Sequence, residues 1–362
     1  MIVRMRSEMR VVLAIAAKDI TDAFKNKSIL SQIITLAFII VLYRFLPLFS
    51  NGDALPRLAL YDAANSHLVA DLRESTEFDL VETTSQTALE DYVEDRDTVV
   101  LGLVLPPGLD ARFDAGEGID LEGYVVHWAS ASQIAKVKSF FEEELSELAG
   151  FPVRIHMEGN IVYVKPDSRG LGFLASLSAV LVLVIGGVFI VPLLMLEEKQ
   201  NRTLDALLVS PADAVLVVVG KALSGAFYCL LAVAVVLALY RGLIVHWGLA
   251  LLATVSGMLF AVGVGLLLGS LFEIKQQLTL WGFVMVNILG IPLFLSLMDE
   301  LLPTGIVAIL RVIPTVALMK VIRVSFSSQA SLAIFGPELA IVLGSALLIL
   351  AAVAYIVRKA DR

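Results

Sequence analysis

Few residues in this chain assemble into a set that could carry covalent chemistry. The four histidines, His67, His127, His156 and His246, are scattered without metal-ligand spacing. The one cysteine, Cys229, sits in an apolar run, where a small buried hydrophobe is the expectation and no intrachain disulfide can form. Neither H-E-x-x-H nor G-x-S-x-G occurs, so intramembrane proteolysis and lipolysis lack support. Gly220-Lys221 invites comparison with a phosphate-binding loop. That loop needs a glycine at position 215, which is Val215, and a hydroxyl directly after the lysine, where Ala222 stands. No cofactor site is expected in this chain.

One stretch does combine charge with periodicity. Residues 197–211 read EEKQNRTLDALLVSP and follow an uncharged run from Gly170 to Leu196. On a helix, Leu204, Leu207 and Leu208 share one face with Thr203 beside them. Glu198 and Arg202 are four apart and can pair across a turn. Ser210-Pro211 ends the helix, because the residue before proline avoids the α region. The pattern describes a short amphipathic helix joined to a long apolar one, with an interfacial helix at the lipid headgroups as the plain reading.

The elements around this stretch are membrane elements. Of 362 residues 58% are hydrophobic, and the mean hydropathy is +0.86; an average soluble domain is about 45–50% apolar. Long apolar runs predict spans at 28–49, 171–196, 217–240, 249–272, 277–298 and 339–357. The first lacks a cleavage site and reads as a retained span. Arg4, Arg6, Arg10, Lys18, Lys25, Lys27, Lys199, Arg202, Lys275, Arg358, Lys359 and Arg362 fall on one side of a six-span arrangement. That bias predicts both termini in the cytoplasm of a plasma-membrane protein. Within the 299–338 connection Pro303, Pro314 and Pro337 are expected to break the chain into short helices at the outer face.

The charge divides the chain. Residues 50–168 hold 23 acidic and 8 basic residues, a balance of -15, while the rest hold 12 and 19, a balance of +7. An acidic soluble domain inserted into a basic membrane body is predicted, and nucleic acid is not an expected partner. RLALYD, FDLVET, TVVLGLVLP, IDLEGYVVHW and VRIHMEG read as strands. NSHLVADLRES, which offers a capped helix, SQTALEDYV and the segment from Ser132 to Leu148 read as helices. The result is a small α/β domain of about five strands.

Other residues have plainer expectations. Ala253, Gly257, Ala261, Gly265 and Gly269 recur every four residues and form a helix-packing face, toward this chain or a second copy. Asn287 is a polar group at mid-span, a candidate for the transport pathway or for a bond to a neighbouring helix. Lys221 is expected to snorkel to the cytoplasmic surface. Glu273 and Lys275 lie in a short turn on the side of 197–211. Glu142, Glu143, Glu144 and Glu147 are expected to form a solvated helix face, with His156 exposed on the polar side of its strand.

The ordered residues of 197–211 resemble the cytoplasmic signature of type-2 permeases of ABC transporters. Glu197 and Glu198 stand for its acidic cluster. Thr203, Leu204, Leu207, Leu208, Ser210 and Pro211 match, Asp205 stands for a glutamate and Arg202 replaces a glycine. AAKDITDAFKNKSIL (16–30) is similar to the family's amphipathic helix before the first span. The insert is similar to that of the sodium- and drug-exporter subgroup.

The resemblance implies a polytopic α-helical protein with six transmembrane helices and an inserted extracytoplasmic α/β domain. Its parts would be a cytoplasmic helix (1–27), a first span (28–49), the outer domain (50–168) and a five-helix membrane domain (169–362). That last part would carry a coupling loop (197–213) and outer short helices (299–337). The chain would be the permease subunit of an exporter, in contact with a separate ABC ATPase subunit that holds ATP and magnesium, with a second permease copy, and with membrane lipid. Glu273 and Lys275 would offer a second contact to the ATPase. The alternative is a non-transporting membrane scaffold that displays the α/β domain.

Overall fold

The computed structural model describes residues 2–23, 27–50, 55–63, 66–115, 118–200 and 214–360. Two helices come first, α1 (Ile2–Ala23) and α2 (Lys27–Ser50). A sheet region follows: β1 (Arg57–Asp62), α3 (Leu68–Glu74), β2 (Asp79–Thr83), α4 (Gln86–Glu94), β3 (Leu101–Leu105), α5 (Leu109–Ala115), β4 (Ile119–Val126), α6 (Ala131–Ala149), β5 (Val153–His156) and β6 (Ile161–Val162). The remainder is helical. α7 (Leu171–Ile185) continues through a π-helical turn (Gly186–Ile190) into α8 (Val191–Gln200). Then come α9 (Ala214–Leu239), α10 (Trp247–Leu271), α11 (Lys275–Leu295), α12 (Thr304–Arg311), α13 (Pro314–Val324) and α14 (Leu332–Ala360).

The sheet has the order β2-β1-β3-β4-β5, with β6 beside the end of β4. β1 lies parallel to both β2 and β3, and β4 runs antiparallel to β3. Leu58, Leu60, Leu101, Leu103 and Leu105 face a core shared with α3 and α6, through Leu72, Phe141 and Leu145. Ala59 and Val100 face the other way, against Leu89 and Val93 of α4. Cover on both faces is why β1 and β3 read as unbroken apolar runs. Gly102 lets α4 sit close, since a Cβ there would meet Leu89 at 2.6 Å. Ser130 and Gln133 form a capping box at the start of α6, and Gly150 ends it at φ 77°.

At the start of α3 the Ser66 Oγ accepts the Leu68 N–H at 3.3 Å while its hydroxyl donates to Asp110 Oδ1 at 2.6 Å. One expectation changes in this region. Glu142 is not wholly solvated, because its Oε1 accepts the Ile155 backbone N–H at 2.8 Å and ties α6 to β5.

Five helices are long and apolar enough to cross a membrane, among the described residues, or six if the bent pair α12–α13 counts as one span. They are Leu171–Leu196, Leu216–Leu239, Trp247–Leu271, Lys275–Leu301 and Leu332–Lys359. α2 has 24 residues and is apolar over Leu30–Leu42. The rod formed by α7, the π turn and α8 lies at the centre, with most of its apolar length buried.

Backbone contact organises this bundle. A Cβ on Gly265 would lie 2.1 Å from the Gly187 carbonyl oxygen, and one on Gly187 would lie 2.4 Å from that of Ala261. Gly257 meets Leu318 and Leu183, and Gly269 meets Met195 and Pro192. Ala253 is fully buried. The glycines of the small-residue row thus face α13 and the central rod of the same chain.

Pro303 and Pro314 start α12 and α13, but Pro337 does not break the chain. It lies in the second turn of α14, where it forfeits one hydrogen bond near an end that is already short of partners. α12 and α13 meet at 79°. α13 buries Thr315, Leu318, Val321 and Ile322 inside the bundle rather than resting at its face.

Lys221 also departs from expectation. Its side chain is 4% exposed and its Nζ lies 2.8 Å from Asp19 Oδ1. α1 packs along α9 and supplies a carboxylate where a route to water was expected.

Replacing Gly265 with valine forces a side chain into the Gly187 backbone. We expect loss of the monodisperse detergent-solubilised protein, read by size-exclusion chromatography, with a cost above the about 1–3 kcal/mol of ordinary overpacking because backbone cannot rotate aside.

Candidate functional site

The bundle has two distinguishable ends. Gly225 packs against Val191 and Gly186 against Cys229, so α9 runs antiparallel to the rod. Gly257 lies beside Leu183 and Gly269 beside Met195, so α10 runs parallel to it. The end of α8, the start of α9 and the turn from α10 to α11 therefore share one end. The sheet region occupies the other.

At the first end the rod stays helical to Gln200, which includes the backbone of Glu197 and Glu198. Arg202, Thr203, Leu204, Asp205, Leu207, Leu208, Ser210 and Pro211 lie outside the described residues. Glu273 and Lys275 are exposed in the turn between α10 and α11. Lys275 borders a small cleft with Ser31 and Gln32 of α2 and Phe189 and Leu193 of the rod. Asn287 is on α11 and turns inward on its own helix, its amide donating to the Phe283 carbonyl at 2.8 Å.

At the opposite end, side chains that the sequence reading did not single out fix the sheet region to the rod. The Ser168 hydroxyl lies 3.3 Å from both the Glu94 carbonyl oxygen and Asp95 Oδ1. Asp95 also accepts the Arg169 N–H. The Leu171 N–H donates to the Arg96 carbonyl at 3.3 Å. Gly170 is required there, since a Cβ would fall 2.5 Å from that same carbonyl oxygen. From α13, Arg323 donates to the Ser168 carbonyl. From β4, His127 donates from Nε2 to the Leu243 carbonyl at 3.1 Å, between α9 and α10. That bond requires the tautomer with its proton on Nε2. Burial pushes the His127 pKa down, which favours the neutral ring.

These residues border a cleft of about 390 Å³ lined by Asp91, Glu94, Asp95, Arg169, Asp299 and Arg323, among others. Arg169 pairs with Glu300 at 2.8 Å, and its pKa is raised by that bond. Glu94 is 5% exposed. Burial pushes its carboxyl up to about 7, against the charge of Lys165 and the Lys165 N–H bonded to it at 3.1 Å. The Lys165 ammonium donates to Asp91, which raises its own pKa. Among the described residues no group of three or more His, Cys, Asp or Glu could hold a metal ion. Burial thus brings the Glu94 carboxyl toward neutral pH beside this cleft.

The raised carboxyl has a definite sign. Because the folded pKa of Glu94 lies above its ordinary 4.5, its contribution to stability is fully present below pH 4.5 and is lost as pH rises through about 7. Glu94→Gln should remove this dependence. Thermal melts of wild type and variant between pH 4.5 and 8 should lie closest at the acid end, separate progressively up to about pH 7 and keep a constant gap above it, with the variant higher. The gap should be at most a few kcal/mol, about 1.4 for each pH unit crossed.

A family model described as "ABC-2 family transporter protein" matches residues 27–355. No curated protein and no solved structure matches the chain. The match runs from the start of α2 almost to the end of α14, across the sheet region, the glycine-packed rod and the bent helix pair. The chain is thus a multi-pass membrane protein of the ABC-2 transporter family.

Proposed function

We propose that this chain is the permease subunit of an ABC exporter and moves substrate outward with ATP hydrolysed on a separate ATPase chain. One observation carries the reading. The central rod runs without a helical break from Gly170, at the root of the sheet region, to Gln200, where the EEKQNRTLDALLVSP stretch has begun. A push on the stretch would act directly on the most buried helix of the bundle.

In this reading the chain crosses the plasma membrane six times, with α2 as the first span and the α12–α13 pair dipping in from the outer side. Both termini and the 197–213 loop are cytoplasmic, and the sheet domain is outside. Arg358 and Lys359 in the last turn of α14 agree with a cytoplasmic end. Leu204, Leu207 and Leu208 fill a groove on the ATPase, and Glu197, Glu198, Arg202 and Asp205 set its register. Glu273 and Lys275 add a second contact at the same end. ATP and magnesium sit on the partner. A second permease copy completes the pathway.

Leu207→Asp with Leu208→Asp places two charges on the docking face. We expect the ATPase co-expressed from a neighbouring reading frame to be lost from the purified complex, with a decrease of at least about a hundredfold in affinity, as for a central contact. The permease itself should keep its chromatographic profile. Unchanged recovery of the ATPase contradicts the assignment.

A further inference from the structure

The buried charges at Asp19 and Lys221 are not accounted for by packing or by docking of a partner. Asp19 and Lys221 are 7% and 4% exposed in their side chains, at 2.8 Å. The Ser224 hydroxyl lies 3.2 Å from the second carboxylate oxygen, and the Tyr228 hydroxyl donates to the Ile20 carbonyl at 3.0 Å. Lys221, Ser224 and Tyr228 are spaced three and four apart, one stripe along α9. Around that stripe the helix is apolar. Gly220 removes the side chain that would hold α1 away, since a Cβ there would meet Ile15 Cγ2 at 2.7 Å.

Charge buried at this depth is costly, and an apolar pair of similar volume generally serves stability as well or better. A buried pair can fix register, because a carboxylate, an ammonium and a hydroxyl must be brought together, as they are in this alignment of the two helices. The alignment matters because of where α9 begins. The 201–213 segment leads directly into Ala214, and Lys221 lies two turns further on. α1 is held beside those first turns, and it is followed closely by α2.

We infer that the Asp19–Lys221 pair is a mechanical joint. It makes α1 and the first half of α9 one body, so that displacement of the 201–213 segment is carried to α1 and on to α2. Lys221 and Asp19 are positioning residues in this role. The joint rests on the reading that an ATPase acts at this end of the bundle, and the test has two arms so that the two ideas can fail separately.

The background carries Cys229→Ser, and Ile15→Cys, which removes the Cγ2 that a Cβ at 220 would meet, with Gly220→Cys provides a disulfide across the α1–α9 contact. The test variant adds Asp19→Asn with Lys221→Met, which removes both charges and leaves none orphaned. In the first arm, oxidation of purified permease should form the 15–220 cross-link at least about tenfold more slowly in the test variant than in the background. Cross-linking at the background rate overturns the joint, whatever the ATPase does. In the second arm, the permease–ATPase complex in liposomes is assayed for ATP hydrolysis before and after oxidation. Under reducing conditions the test variant should retain bound ATPase while hydrolysis falls to the level of the isolated ATPase, and oxidation should restore it. Full hydrolysis without the cross-link, or no rescue by it, contradicts the joint. Absence of ATPase from the background complex would sink the exporter reading and leave the first arm to decide the joint.

Discussion

The contact of Gly187 with Gly265 sets how near the two most deeply packed helices can come, and the remaining architecture follows from that distance. Lipid tails are as apolar as leucine, so helices in a bilayer gain little from leaving them. They associate through close van der Waals contact, which small residues permit. At Gly187 the rod presents backbone, and α10 answers with Ala261 and Gly265. The π-helical turn falls at this point, Gly186–Ile190. An extra residue in the turn shifts the helical phase, so that the faces before and after it need not follow one stripe. The rod becomes a central element with neighbours on most sides.

A rod held this way can transmit displacement only to what is fastened at its ends. The sheet region is fastened by backbone as much as by side chains, through Gly170 lying against Arg96 and through the Ser168, Asp95 and Arg323 bonds. It is therefore held directly on the start of α7. Arg323 brings α13 into the same junction, so the bent helix pair, the sheet root and the rod meet at one place. At the other end the rod continues as helix into the charged stretch. Mechanical continuity from one end of the bundle to the other is a property of these contacts.

Elements with a strong local pattern were legible in the sequence. RLALYD became β1, SQTALEDYV became α4, and Val153 and Ile155 alternate with Arg154 and His156 in β5, buried against exposed. α5 and β6 were not foreseen: one is seven residues long and the other two, too short for a period to show. Lys221 was misread for a different reason. A lysine in an apolar helix reads as a surface-seeking group, and its partner lies 202 positions away in sequence. The contacts at the sheet root were equally invisible, because a serine hydroxyl bonding a distant carbonyl leaves no trace in local composition. Pro337 shows the limit of breaker signals, since proline near a helix start costs little.

The central claim is that a separate motor acts on the end of the bundle remote from the sheet domain. Lysine-directed cross-linking in native membranes, read by mass spectrometry, addresses it most directly. Lys199 and Lys275 should be joined to a chain that carries a complete nucleotide-binding motif, while Lys136 and Lys138 on α6 should not. A nucleotide-binding chain joined to Lys136 or Lys138 and not to Lys199 would contradict the account.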